Sequence, residues 1–477
     1  MPKILSCLLT FVIFFNAGSQ SVKLLTLPEC IDIALQNNLQ IKQGYFNLKS
    51  AEISLRQSRM NLLPTFNLGS NLGKNFGRAI NPVTNTFINR NSNTLNFQGA
   101  TSLTLFSGFR LTNTMRQSSR EFEAGNQDLA KAKNDVTLNV VSIYTTVIFN
   151  KELLENARFQ LESAREQLSR IKKQVEAGSL PRSNELNQEA QVATAEVTLI
   201  NQENALNLSL LQLKQAMQVP GSEAFDVAVP EISPEDLLLD NTPEQIFDIA
   251  AQSMPEIRSA MLRVESAELA LRAARGGFSP RLTFSAVAQT NYASISNTQR
   301  TTIDGFQVGT TPVGVVGGTN QPVFGYQPVY KVVAPDYGVR DQLGDNLFKA
   351  LSLQLNVPLF NGLQARSAVQ RAAINKELAE IGQQQQRNTL RQSIETAYND
   401  ALAASKTYAA SLKQVNARNE AYRMTKQRFE IGASNYVEYR ISETDLFQAR
   451  SDLARAKFNF IFRKKLLDFY QGKPITL

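Results

Sequence analysis

Gly108 and Gly362 lie 254 residues apart in this 477-residue chain, and Gly178 and Gly432 have the same separation. Their surroundings match as well. "TLFSGFR" (104–110) faces "PLFNGLQ" (358–364), and "EAGSLPRSNEL" (176–186) faces "EIGASNYVEYR" (430–440). Two independent landmarks with one offset make the chain a tandem duplication, so each half must build the same unit. The halves also open alike, with "LTLPECIDIALQNN" (25–38) against "DNTPEQIFDIAAQS" (240–253). Each puts Pro at the start of a helix, and Thr242 with Gln245 forms a T-x-x-Q capping box.

Between the landmarks the pattern is helical. Apolar residues step by four and three from Val136 through Val140, Ile143 and Val147 to Val175, with Asn150 the one polar member. The same positions in the second half run from Leu390, Ile394, Ala397 and Ala401 to Phe429, with Ser411, Arg418 and Thr425 polar. A sustained period of 3.5 means left-handed supercoiling against neighbouring helices. One helix from about Arg110 to Val175 is ~100 Å long, several times the hydrocarbon thickness of a bilayer.

Before each helix the period changes to two. Phe66, Leu68, Leu72 and Phe76 alternate with Thr65, Asn67, Asn71 and Asn75. Phe97, Leu103 and Leu105 oppose Asn96, Gln98, Ser102 and Thr104. Leu282, Phe284, Ala286 and Tyr292 alternate with Thr283, Ser285, Gln289 and Asn291, and Leu351–Leu359 repeats the scheme. The polar faces carry amides and hydroxyls where a soluble sheet shows Lys and Glu. Each run is ~10 residues, enough to cross a bilayer at a tilt. Gly108 and Gly362 are then the joints where a membrane strand becomes a periplasmic helix, with glycine relieving the backbone.

The N-terminus, "MPKILSCLLTFVIFFNAGSQ", reads as an export signal over 1–19: one Lys, an apolar run and a small-residue cleavage site. No other segment has the ~18 apolar residues of a membrane helix. Cys7 leaves with the signal, so the mature chain keeps Cys30 alone, on the apolar face of the first helix. The chain has no His and no Trp. That removes the usual general base and the commonest metal ligand. Neither G-x-S-x-G nor H-E-x-x-H occurs, and no enzyme activity, catalytic residue, cofactor or metal is expected. The net charge of +8 is dispersed, without the basic stripe and interleaved aromatics of a nucleic-acid binder.

Four strands do not close a barrel, and an open edge in lipid leaves backbone groups unpaired. Two copies give eight strands and a nearly filled interior; three give twelve and an aqueous lumen. An exported structural coiled coil or adhesin is the alternative, but it has no need of amide-faced strands joined to its helices at matching glycines.

In order and duplication, "LTLPECIDIALQNN", the two LF-S/N-G joints, "GSLPRSNELNQEAQVATAE" and "RFEIGASNYVEYRISETDLFQARSDLARAKF" resemble the TolC-like outer membrane efflux protein family. The resemblance covers nearly the whole mature chain. It implies an α+β membrane protein of four transmembrane β-strands and long coiled-coil helices. That chain trimerises into a 12-stranded β-barrel continued by a periplasmic α-helical barrel. It implies a passive outer membrane channel of a tripartite efflux or type I secretion system, extending into the periplasm. Its partners are a periplasmic adaptor, an inner membrane transporter and outer membrane lipid, with no nucleic acid. The turns at Gly178 and Gly432, with Arg428, become the adaptor-docking turns. Glu438, six residues past the second glycine, matches a family acid at the entrance; an acid near a helix start is also what the helix dipole favours. Phe429 stands where the family has a hydroxylated aromatic, and Asn184 with Glu185 occupies the acid position of the first half. Ile441 and Ser434 depart from the family's second acid and its arginine.

The expected layout is a first repeat over 20–218, a Pro-rich linker over 219–241 and a second repeat over 242–477. The strand-to-joint interval grows from 44 residues, Pro64 to Gly108, to 82, Pro280 to Gly362. The excess falls within 293–345, rich in Gly, Pro and aromatics, and predicts a long extracellular loop.

Overall fold

A computed structural model describes residues 23–80, 87–89, 91–230, 241–294, 300–333 and 337–473. The expected signal and Cys7 lie outside the described residues, as do 231–240 of the expected linker. In chain order the first half gives β1 (Lys23–Leu25), α1 (Leu27–Asn37), α2 (Leu39–Met60), β2 (Thr65–Asn75), β3 (Arg78–Ile80), β4 (Phe87–Asn89), β5 (Ser92–Phe106), α3 (Arg110–Glu176), α4 (Arg182–Met217) and β6 (Phe225–Val227). The second gives α5 (Pro243–Ser253), α6 (Pro255–Arg275), β7 (Arg281–Ala293), β8 (Arg300–Val315), β9 (Pro322–Val333), α7 (Val339–Asp345), β10 (Phe348–Asn356), α8 (Gln364–Glu430) and α9 (Tyr436–Tyr470).

The duplication is visible in the element bounds. Helices α3 and α8 are both 67 residues long, offset by 254 at either end. Helices α1 and α5, each of 11 residues, are offset by 216. Both start on a threonine whose N–H donates to the side chain three residues on, Glu29 at 2.8 Å and Gln245 at 3.0 Å. The shift between the two offsets is the insertion between β7 and β10. That insertion was expected as a loop, but its described residues pair into an antiparallel ribbon, β8–β9, followed by α7. Alternating Ile303, Phe306 and Val308 opposite Tyr330, Pro328 and Tyr326 account for it. The stretch expected as a plain linker carries β6, which pairs in parallel with β1.

The chain forms two compact units. The helical unit takes the chain up to Ile53, Ser119–Ser266 and the chain from Lys376. Its interior is the predicted heptad seam: Val136, Val140, Val147, Leu154, Leu161 and Ile171 are buried, as are Leu390, Ile394, Ala397 and Ala401. The polar exception, Asn150, is buried and donates to the Ala205 carbonyl at 3.2 Å, so it costs no unmet hydrogen bond. Tyr144, 1% exposed, donates to the Ala228 carbonyl at 2.7 Å and so pins the end of the β1–β6 pair. Cys30 is fully buried in the same cluster, and burial pushes its thiol up to about 12.

The strand unit comprises Ser54–Ser118 and Ala267–Asn375. Its sheet has the antiparallel order β10-β7-β5-β2. Register puts all four alternations in phase. Phe66 pairs with Thr101, Thr101 with Ala286, and Ala286 with Leu351; one row on, Leu103 pairs with Phe284 and Phe284 with Leu353. One face is therefore Phe66, Leu68, Leu72, Phe97, Leu103, Phe284, Leu351 and Leu353. The other is Asn67, Asn71, Asn96, Gln98, Ser285, Gln289, Ser352 and Gln354. The apolar face is uncovered: Leu68 is 76% exposed, Leu72 79% and Leu351 77%. No helix among the described residues is long and apolar enough to cross a membrane.

Candidate functional site

Helices α3 and α8 end in the same cap. Gly178 N–H donates to the Val175 carbonyl (2.9 Å) and Ser179 N–H to Gln174 (2.9 Å); Gly432 and Ala433 do the same to Phe429 (3.1 Å) and Arg428 (2.8 Å). The glycines have φ of 72° and 78°, which glycine adopts without strain, and this is a Schellman motif. Arg428 is exposed and its guanidinium donates to the Ala433 carbonyl at 3.3 Å, bracing the second turn.

The two hairpins restart differently. Asn435 caps α9 by accepting from the Glu438 N–H at 2.8 Å. The exposed Glu438 carboxylate accepts from the Ser434 hydroxyl at 2.6 Å and the Asn435 amide at 3.3 Å. Glu438 is thus the residue whose backbone N–H the Asn435 side chain caps, and its carboxylate is held in place by side chains of the turn. Asn184 and Glu185, the counterparts on α4, are half-buried. Glu185 lies 3.9 Å from Lys172, whose closer partner is Glu189 at 3.0 Å.

Phe429 belongs to an aromatic stack, 5.1 Å from the Tyr439 ring at an interplanar angle of 18° and 6.3 Å from Tyr436. Behind it is a polar cluster that the sequence reading missed. Glu443 is 3% exposed and accepts from Ser163 (2.8 Å), Tyr439 (3.2 Å) and Arg440 (3.0 Å). Gln188, fully buried, donates to the Ala164 carbonyl at 2.9 Å and accepts from the Tyr436 hydroxyl. These bonds tie α9 to both α3 and α4. Burial, then the Glu443 charge, pushes the Tyr439 hydroxyl far above the ordinary phenol range, so it stays a donor. The signal was present: Tyr439, Glu443 and Leu446 step by four and three, and so do Gln188, Val192, Ala195 and Leu199. Polar residues in seam positions mark a specified contact.

At the joints, Gly108 and Phe109 have φ of 62° and 58°, and Gly362 and Leu363 have 61° and 64°. Arg110 N–H donates to the Ser107 carbonyl (3.2 Å) and Gln364 N–H to Asn361 (3.3 Å). Each joint is a type I′ turn. Among the described residues no group of three or more Cys, Asp or Glu could hold a metal ion.

Residues 30–218 and 345–460 match the outer membrane efflux protein family. The chain belongs to that family. Efflux-family relatives include the probable efflux pump outer membrane protein SepC of Pseudomonas putida, 24% identical over 91% of this chain and 80% of the relative. The alkaline protease secretion protein AprF of Pseudomonas aeruginosa is 22% identical over 71% of this chain and 61% of its own length. Among solved structures, the outer membrane protein VceC from Vibrio cholerae has a TM-score of 0.72 at 14% identity, covering 94% of this chain and 97% of that one. The Campylobacter jejuni CmeC outer membrane channel has a TM-score of 0.68 at 17% identity, covering 94% and 85%. The efflux-family fold is therefore that of these channels. The protein is an outer membrane channel of an efflux or secretion system, and the uncovered apolar face of its sheet is the surface such a location requires.

Proposed function

We propose that three copies of the chain close into one 12-stranded barrel and form a passive conduit, catalysing no reaction. One observation carries this reading. The sheet has an apolar face, an amide face and two outer strands, β2 and β10, with no strand paired beyond either among the described residues. An open edge in lipid costs several kcal/mol per unpaired group, so further copies must supply the missing pairing. The apolar face then meets lipid, the amide face lines water, and twelve strands leave a lumen where eight nearly fill it.

At the far ends of the long helices, the turns at Gly178 and Gly432, with Arg428, form the docking surface for a periplasmic adaptor that brings the inner membrane transporter. Phe429, Glu438, Asn184 and Glu185 form the entrance, where threefold symmetry makes Glu438 a ring of acids favouring cations. The capping geometry makes the test clean. Gln at position 438 keeps the backbone N–H that Asn435 caps and loses the charge. In planar bilayers the purified protein gives discrete conductance, and Glu438→Gln lowers the cation preference of the entrance side while Tm holds. Monomers that stay dissolved without detergent and never conduct defeat the conduit reading. Conducting channels with unchanged selectivity in Glu438→Gln defeat the acid ring alone.

A further inference from the structure

The sequence segregates its charges. Residues 53–120, 269–303 and 346–376, which supply the four-stranded sheet and its joints, contain no Asp or Glu, and every charged residue in them is Lys or Arg. On the amide face within the four strands the sole charge is Arg281, paired in register with Asn356. The fold of the sheet asks for no charge there, since neighbouring rows are Thr, Ser, Asn and Gln.

Arg281 opens onto a cavity of about 230 Å³ shared with Arg110, Ser107, Ser279 and Asn356. One Arg281 nitrogen lies 3.4 Å from the Thr104 hydroxyl, and neither arginine has an acidic partner among the described residues. The floor is stiff. A Cβ added at Gly276 would lie 3.1 Å from the Arg110 Cβ and 2.6 Å from the Gly108 carbonyl, so backbone meets backbone without side chains between. Two exposed guanidiniums thus line the same cavity as hydroxyls and an amide. Their planar forks suit an oxyanion held by paired N–H bonds.

We propose that this cavity is an oxyanion site on the wall of the conduit, taking the carboxylate, phosphate or sulfate group of soluble anionic cargo. It rests on the reading of the amide face as the lumen. Arg281 and Asn356 stand on that face, opposite Leu353 and Leu355, which places the site in water and away from lipid headgroups. Three copies make a ring of arginines at the joint level, in series with the acidic entrance. Such a ring raises the local concentration of anions while exposure to water keeps each encounter weak enough for release.

The test uses the assembled protein in bilayers of zwitterionic lipid. Inorganic phosphate, replacing chloride at constant ionic strength, lowers the single-channel conductance of the wild type. In Arg110→Gln/Arg281→Gln, half block needs roughly tenfold more phosphate, the loss expected for one charge-assisted hydrogen bond. In a KCl gradient the reversal potential of that variant moves towards cations. Arg110→Lys/Arg281→Lys keeps the wild-type reversal potential and loses part of the block, because lysine keeps the charge without the fork. The exposed Arg281→Gln alone gives the same directions if the double variant assembles poorly. Unchanged phosphate block in conducting Gln variants overturns the proposal. So does an effect confined to bilayers containing phosphatidylglycerol, which identifies a headgroup site. Absence of conductance in the wild type removes the conduit and this site together.

Discussion

At the scale of single residues the two strand–helix joints look equivalent in sequence and are not equivalent in space. Both glycines adopt left-handed backbone, which costs a side chain about 1–2 kcal/mol. At Gly362 an added Cβ meets nothing within 4 Å, so that conformational cost is all that Ala brings. At Gly108 it would lie 2.4 Å from the Ser279 Cβ and 2.8 Å from the Gly276 carbonyl. Backbone cannot swing aside, so overlap is added to strain. Gly362→Ala is expected to lose about 1 kcal/mol and still assemble. Gly108→Ala is expected to lose several kcal/mol or fail to assemble, comparable with the worst core substitutions. Thermal unfolding of the detergent-solubilised oligomer measures both; equal shifts would refute the difference. The need for glycine was legible from the repeated motif. Which copy is crowded was not, because Ser279 reaches Gly108 across 171 residues of sequence.

At the scale of elements, helix α9 carries a buried carboxylate, Glu443, near its turn. Glu443 is bound by three donors, two from its own helix and Ser163 from α3. Removing it strands Arg440, whose side chain is 18% exposed. Breaking a buried pair on one side typically costs 3–5 kcal/mol, against about 1 kcal/mol for a neutral hydrogen bond. Glu443→Ala should therefore destabilise the helical unit by about 3 kcal/mol, Ser163→Ala by about 1 kcal/mol. Glu443→Ala/Arg440→Ala should recover part of the loss, which a denaturant double-mutant cycle reads as coupling. Additive losses would mean that the pair is solvated and incidental. The long helices themselves were plain from the 3.5 period, down to the shared offset of α3 and α8. Gln188 and Glu443 were less legible because α4 and α9 carry polar residues at these seam positions, where a heptad is traced by apolar ones.

At the scale of the whole molecule, what the period-two segments could show was alternation; what they could not show was its sign, lipid or water, for each face. Register gathers the four alternations onto one apolar and one amide face, and the proposed barrel turns the apolar face to lipid. The ribbon β8–β9 was hidden because Gly, Pro and aromatic content reads as loop until Ile303 is seen opposite Tyr330. The adjacent pair Ser352 and Leu353, in mid-strand β10, tests the sign directly. Leu353 is on the apolar face, 66% exposed, and Lys there should cost about 2–4 kcal/mol, as for a cation at the bilayer midplane. Ser352 is on the amide face, where Lys should leave the heat resistance of the oligomer within about 0.5 kcal/mol of wild type and raise anion preference in bilayers. Opposite results at the two positions would turn the sheet inside out, putting lipid against the amides, and the oxyanion cavity at Arg281 would then face the membrane.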